Sequence, residues 1–200
     1  MTKTIDFYFD FSSPYGYFAS FKIDRLAEGF GRSPVWKPMF LGAAFKKTGA
    51  KPLVDIPIKD DYSRLDWERM GKFMEVPWRL PDPFPIAAVA PGRAFYWLHD
   101  QDADTAKQFA KAAFAAYFAE GRNISKPDVV SDIAASVGAD RAAVLDTLQD
   151  PAVKDRFTRE TDAAVERGVF GSPFFIIDGE GFWGSDRMWM IKKKLQETGW

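Results

Sequence analysis

The 200 residues carry a net charge of -1, with 46% hydrophobic and 28% charged side chains, the balance of an ordinary globular chain. That balance offers no basic footprint for nucleic acid and no polybasic membrane anchor, and no apolar run approaches the ~20 residues of a transmembrane helix. There is no cysteine, which removes disulfides, thiolate metal sites and cysteine nucleophiles; the single histidine, His99, cannot build a histidine metal cluster.

The opening Met1-Thr2-Lys3-Thr4 lacks the apolar stretch of a signal peptide, so the expected location is the cytoplasm. From Thr4 to Phe11 the chain alternates. Ile5, Phe7, Phe9 and Phe11 share one face and Asp6, Tyr8 and Asp10 the other, which predicts a strand. Ser12-Ser13-Pro14 supplies a hydroxyl cap and a proline at the first helical position, predicting one helix to about Glu28, closed by Gly29 and Gly31. Val35 to Pro38 reads as a second strand, parallel to the first.

The middle of the chain is helical. Leu41 to Gly49 and Asp60 to Met74 are predicted helices, and Val76 to Pro85 holds four prolines and is irregular. Helices follow over Thr105 to Glu120, from Ser125-Lys126-Pro127-Asp128 to Gly138, and after Asp140 and Asp150, the last closed by Gly168. His99 sits at a helix end, where a cation suits the dipole. Strands return at Pro173 to Asp178 and Phe182-Trp183 around the turn Gly179-Glu180-Gly181. Ser185-Asp186 then caps a last helix, from Arg187 to about Glu197. The fold class is α/β: βαβ, a block of helices, then ββα.

Three places carry candidate chemistry. Ser13 stands at a strand-to-helix turn, where a hydroxyl, backbone N–H groups and the helix dipole favour an anion such as a thiolate; read alone, it is also a plain N-cap. Gly171-Ser172-Pro173 opens a strand with a candidate cis peptide, which would turn the Ser172 backbone outward to meet an extended peptide. Gly184-Ser185-Asp186 begins a helix where N–H groups and the Ser185 hydroxyl suit a carboxylate and Asp186 suits an ammonium, the two charges of an amino acid. The aromatic and proline-rich stretch from Phe73 to Phe84 reads as core or as a pocket wall.

Taken in order, Asp6-Phe7-Tyr8-Phe9-Asp10-Phe11-Ser12-Ser13-Pro14-Tyr15, Gly168-Val169-Phe170-Gly171-Ser172-Pro173 and Phe182-Trp183-Gly184-Ser185-Asp186-Arg187 resemble the 2-hydroxychromene-2-carboxylate isomerases. These are relatives of the kappa-class glutathione transferases, among the thioredoxin-like disulfide oxidases with a helical insert. The resemblance spans nearly the whole chain. It implies a thioredoxin-like domain over 1–40 and 166–200, interrupted by an all-helical insertion over 41–165. It implies glutathione as cofactor and a small aromatic carboxylate as substrate, with no nucleic acid or membrane partner, and leaves a homodimer open. Trp200 is a candidate docked tail or dimer contact.

By position, the resemblance makes Ser13 the catalytic serine that stabilises the glutathione thiolate, with Ser12 the lesser candidate. Ser172 and Pro173 would meet the cysteinyl unit, Ser185 and Asp186 the γ-glutamyl unit, and Lys59 a glutathione carboxylate. Ala50 departs from the pattern, standing where relatives often place an asparagine. The implied chemistry is reversible addition of the thiolate to an unsaturated carbon, with glutathione regenerated. A kappa-like glutathione transferase and a non-enzymatic peptide-binding module are the competing readings; the lack of cysteine removes a disulfide oxidoreductase.

Overall fold

The computed structural model describes residues 3–196. Trp200 and the expected helix end at Glu197 lie outside the described residues, as do Met1 and Thr2.

The alternation at the start of the chain becomes β1 (Thr4–Phe9), whose Ile5, Phe7 and Phe9 are fully buried. Phe7 meets Trp36 edge-on at 5.0 Å and stacks on Phe175 at 5.4 Å, so one row of aromatics ties three strands together. Next come α1 (Pro14–Ser20) and α2 (Ile23–Glu28), where the sequence predicts one continuous helix. The break has a local cause. The Ser20 hydroxyl takes the Tyr17 carbonyl at 2.6 Å, and the Lys22 N–H bonds Ala19 three residues back, so the ladder tightens and turns before Ile23. α1 is therefore short.

β2 (Ser33–Pro38) runs parallel to β1, from Thr4 opposite Ser33 to Phe9 opposite Pro38. Seven helices follow: α3 (Leu41–Thr48), α4 (Lys59–Met74), α5 (Val89–His99), α6 (Ala103–Phe118), α7 (Pro127–Ser136), α8 (Arg141–Thr147) and α9 (Pro151–Glu166). β3 (Phe174–Ile177) then pairs antiparallel with β1, and β4 (Glu180–Trp183) antiparallel with β3, before α10 (Met188–Gln196). The strand order is β2-β1-β3-β4. Asp140 and Asp150 cap α8 and α9 through the Ala143 and Ala152 amides, as expected. Ser125 does not cap α7. Its hydroxyl bonds Asn123 instead, and Pro127 starts that helix. Residues 185–187 form a 3-10 turn, so α10 begins at Met188 rather than at Arg187, and Ser185 makes no side-chain cap.

A large core joins β1, α1, α5, α6 and α7 on one side of the sheet. The other side of the sheet is covered as well. Tyr8, Phe174 and Ile176 are buried there with Ala44 of α3 and Ala164 of α9. Asp6 answers Arg167 at 2.7 Å, and Asp10 is 4% exposed. Alternation within a strand reports the pleat; it cannot show that two helices from elsewhere will cover the second face.

Candidate functional site

The site is built where β1 ends. After Phe9 the chain turns, the Ser13 N–H closing on the Asp10 carbonyl at 3.0 Å. Ser13 then leaves the turn in extended backbone, and its Oγ accepts the Gly16 N–H at 3.1 Å, the N-cap of α1, with Pro14 in the first turn. The same hydroxyl donates to the Ser172 carbonyl at 3.0 Å. In return, the Ser172 Oγ accepts the Asp10 N–H at 2.9 Å. Two reciprocal bonds thus join segments about 160 residues apart, and Ser13 is only 7% exposed.

The Ser172-Pro173 bond is cis. The Ser172 carbonyl, which the sequence reading turns outward toward an extended peptide, is held by the Ser13 hydroxyl. The Pro173 carbonyl accepts the Gly184 N–H at 3.0 Å, which brings the 185–187 turn beside the serines. That turn also packs against α1. Gly184 has φ +107°, and a Cβ there would stand 2.3 Å from an Asp186 carboxylate oxygen, so glycine is what lets Asp186 take its place. Asp186 is exposed and paired with Arg187 at 2.5 Å.

Gly16 lies against both hydroxyls. A Cβ at this position would lie 3.1 Å from Ser172 Oγ and 3.3 Å from Ser13 Cβ. The two serine side chains therefore close tightly over Gly16, where a larger residue would press on both.

The structure adds a residue that the sequence reading left on a strand face. The Asp10 carboxylate accepts the Ser12 N–H at 2.7 Å on one oxygen and the Leu41 N–H, at the start of α3, at 2.8 Å on the other. Burial pushes this carboxyl up to about 6, against the pull of those two amides. The available signal was position: Asp10 is the last polar residue of the alternation, at the strand end that runs into the Ser-Pro turn. Ser12 is occupied elsewhere, its Oγ accepting the Ile86 N–H at 3.0 Å.

The proline-rich segment is bound to α1 and α6 by phenol groups. Tyr17 donates to the Pro77 carbonyl at 2.6 Å and Tyr117 to the Pro83 carbonyl at 2.8 Å. Trp78 stacks on Phe118 at 5.3 Å, and Phe84 meets Trp67 edge-on at 5.4 Å, so these rings belong to the core, whereas Phe73 is 80% exposed. Tyr15, two residues past Ser13, donates to the Asp66 carboxylate of α4 at 2.7 Å. Burial first, then Asp66, pushes its phenol well up, so it stays a donor. Tyr62 and Leu65 are exposed on the same helix.

Ser13, Ser172, Pro173, Ser185 and Asp186 therefore converge. Lys59 is exposed in the first turn of α4 and, among the described residues, takes no part in this bonded group. Ala50 is exposed just past Gly49, its N–H on the Thr48 hydroxyl. His99 ends α5, stacked on Phe95.

Residues 4–196 match the family model of the DSBA-like thioredoxin domain. A 2-hydroxychromene-2-carboxylate isomerase of Sphingobium xenophagum is 30% identical, over 98% of this chain and 99% of its own. Glutathione s-transferase kappa 2 of Caenorhabditis elegans is 27% identical, over 98% of this chain and 92% of its own. A solved structure of 2-hydroxychromene-2-carboxylate isomerase superposes with a TM-score of 0.85 at 28% identity, over 96% of this chain and 94% of that one.

Proposed function

The chain belongs to the DSBA-like thioredoxin domain family and, within it, to the 2-hydroxychromene-2-carboxylate isomerases, and from that premise we propose that it is a cytoplasmic, glutathione-dependent isomerase of a small aromatic carboxylate. The observation that carries the reading is the Ser13 hydroxyl, held by the Gly16 amide and within 3.0 Å of the carbonyl of Ser172, which precedes the cis-proline. Bound glutathione would supply a thiolate that adds to an unsaturated carbon of the substrate and leaves once the bond has rotated.

The chain's own residues do the rest. Beside a sulfur anion, the Ser13 O–H turns from the neutral Ser172 carbonyl to the charge, exchanging an ordinary hydrogen bond for a charge-assisted one. The Gly16 N–H keeps the oxygen in place while it turns. The hydroxyl carries more of this load than the helix, because α1 is a short stretch with a small dipole. The Ser172 backbone, next to Pro173, pairs with the cysteinyl unit. Ser185 and Asp186 hold the γ-glutamyl carboxylate and ammonium, and Lys59 reaches a further carboxylate. Tyr62 and Leu65, beside the Tyr15–Asp66 bond, offer the exposed apolar wall that a flat substrate needs.

Product analysis with 2-hydroxychromene-2-carboxylate and reduced glutathione tests this. The expected result is an isomeric product with glutathione recovered. The similarity to the kappa transferase favours one other reading, a transferase using the same serine; glutathione consumed mole for mole would establish it and sink the isomerase.

A further inference from the structure

Asp10 is a buried carboxylate on which, among the described residues, no cation acts. A charge held this way costs stability that only its hydrogen bonds offset. Its bonds reach both serines at the centre of the site and the start of α3. The carboxylate holds the Ser12 and Leu41 amides, the Asp10 carbonyl holds the Ser13 amide, and its N–H holds the Ser172 hydroxyl.

We propose that Asp10 is the positioning residue of this site: its ionised carboxylate draws the Ser12 turn and the start of α3 together and so aims the Ser13 hydroxyl, a role that rests on the glutathione reading above. Only the carboxylate fits both amides. Asparagine offers one carbonyl oxygen and turns an NH2 donor toward the other N–H, and the protonated acid must likewise carry its hydrogen on one oxygen. Tyr117 of α6 is a titratable side chain that feels the Asp10 charge; the Leu41 amide of α3 and the Ser12 amide face the carboxylate, while the Ser13 amide and the Ser172 hydroxyl of the cis-proline loop meet the Asp10 backbone. Since burial sets the carboxyl near 6, the aim of Ser13 slackens as the pH falls through that value.

The full chain is titrated with reduced glutathione, following the ultraviolet absorbance of the bound thiolate, and separately with S-methylglutathione, which has no thiol to ionise. Wild type should form the thiolate with an acid limb near pH 6. Asp10→Asn should bind S-methylglutathione nearly as wild type does, yet form about tenfold less thiolate at neutral pH and lose that limb. Leu41→Pro removes one of the two amides at a helix position that favours proline, and should move the limb to higher pH. That variant carries the test by itself if Asp10→Asn does not fold. Wild-type thiolate yield and an unmoved limb in the variants overturn the role of Asp10 and leave the glutathione reading standing. Absence of any thiolate in wild type overturns both.

Discussion

The Ser13 hydroxyl donates to the Ser172 carbonyl at 3.0 Å across 159 residues of sequence, so the start of α1 and the loop before β3 meet through a single mobile proton. Replacing Ser13 by alanine removes that donor and the N-cap of α1. The cap is worth about 1 kcal/mol, or roughly 3 °C in a chain of this size. The rate loss should be far larger, about 10²–10³-fold in glutathione-dependent turnover, the cost of deleting one preorganised donor to a developing or bound anion. Calorimetric Tm and steady-state rates on the same preparation check this. A Ser13→Ala enzyme within twofold of wild type would remove the serine from the chemistry.

Gly16→Ala separates stability from geometry. Alanine is the better helix former by about 1 kcal/mol, so Tm should hold or rise slightly. The new Cβ, however, presses on Ser172 Oγ at 3.1 Å and on the Ser13 side chain at 3.3–3.4 Å. Displacing two hydroxyls by a few tenths of an ångström should lower turnover about tenfold. A stable variant with undiminished turnover would show that the spacing of the two serines does not limit the chemistry.

Much of this framework was legible from local pattern. The alternation of Ile5, Phe7 and Phe9 marks β1, Ser13-Pro14 marks the start of α1, and Asp140 and Asp150 mark two later caps, because each signal is contained within a few residues. What was not legible depends on distant partners. Nothing within Asp6 to Asp10 shows that α3 and α9 will cover that face, so the burial of Tyr8 and Asp10 cannot be read there. The break after Ser20 depends on a hydroxyl turning back to a carbonyl, a choice that helix propensity does not encode. In the site, residue types could be assigned from motifs, whereas the exchange of bonds among Asp10, Ser13 and Ser172 needs the strands in register.

The buried carboxyl also sets a pH dependence of stability. Asp10 titrates near 6 in the fold against an ordinary 3.8, so the native state binds this proton more tightly than the unfolded chain. Its contribution is fully present below 3.8 and is lost as the pH rises through 6. Between pH 7.5 and pH 5 wild type should therefore gain about 1.4 kcal/mol, or about 4 °C, relative to Asp10→Asn, since the other carboxylates cancel in the difference. Paired thermal melts across that range check the sign. A difference that stays flat, or that grows as the pH rises, would mean that Asp10 is not held up by burial.

The bond from Tyr15 to Asp66 joins α1, two residues past Ser13, to α4, which carries Tyr62 and Leu65 on its exposed side. A phenol donating to a carboxylate in a half-buried position contributes about 1.5 kcal/mol. Tyr15→Phe keeps the ring, which packs edge-on against Trp67 at 6.3 Å, and deletes the donor alone. Tyr15→Phe, Asp66→Asn and the double variant form a cycle whose coupling should come to about 1 kcal/mol by urea unfolding. If α4 forms the wall against which the aromatic substrate rests, loosening it should raise KM for that substrate several-fold and change glutathione affinity little, because the Ser13–Ser172 bonds are left intact. A fall in glutathione affinity with KM for the aromatic substrate unchanged would place the Tyr15–Asp66 bond on the glutathione side of the site instead.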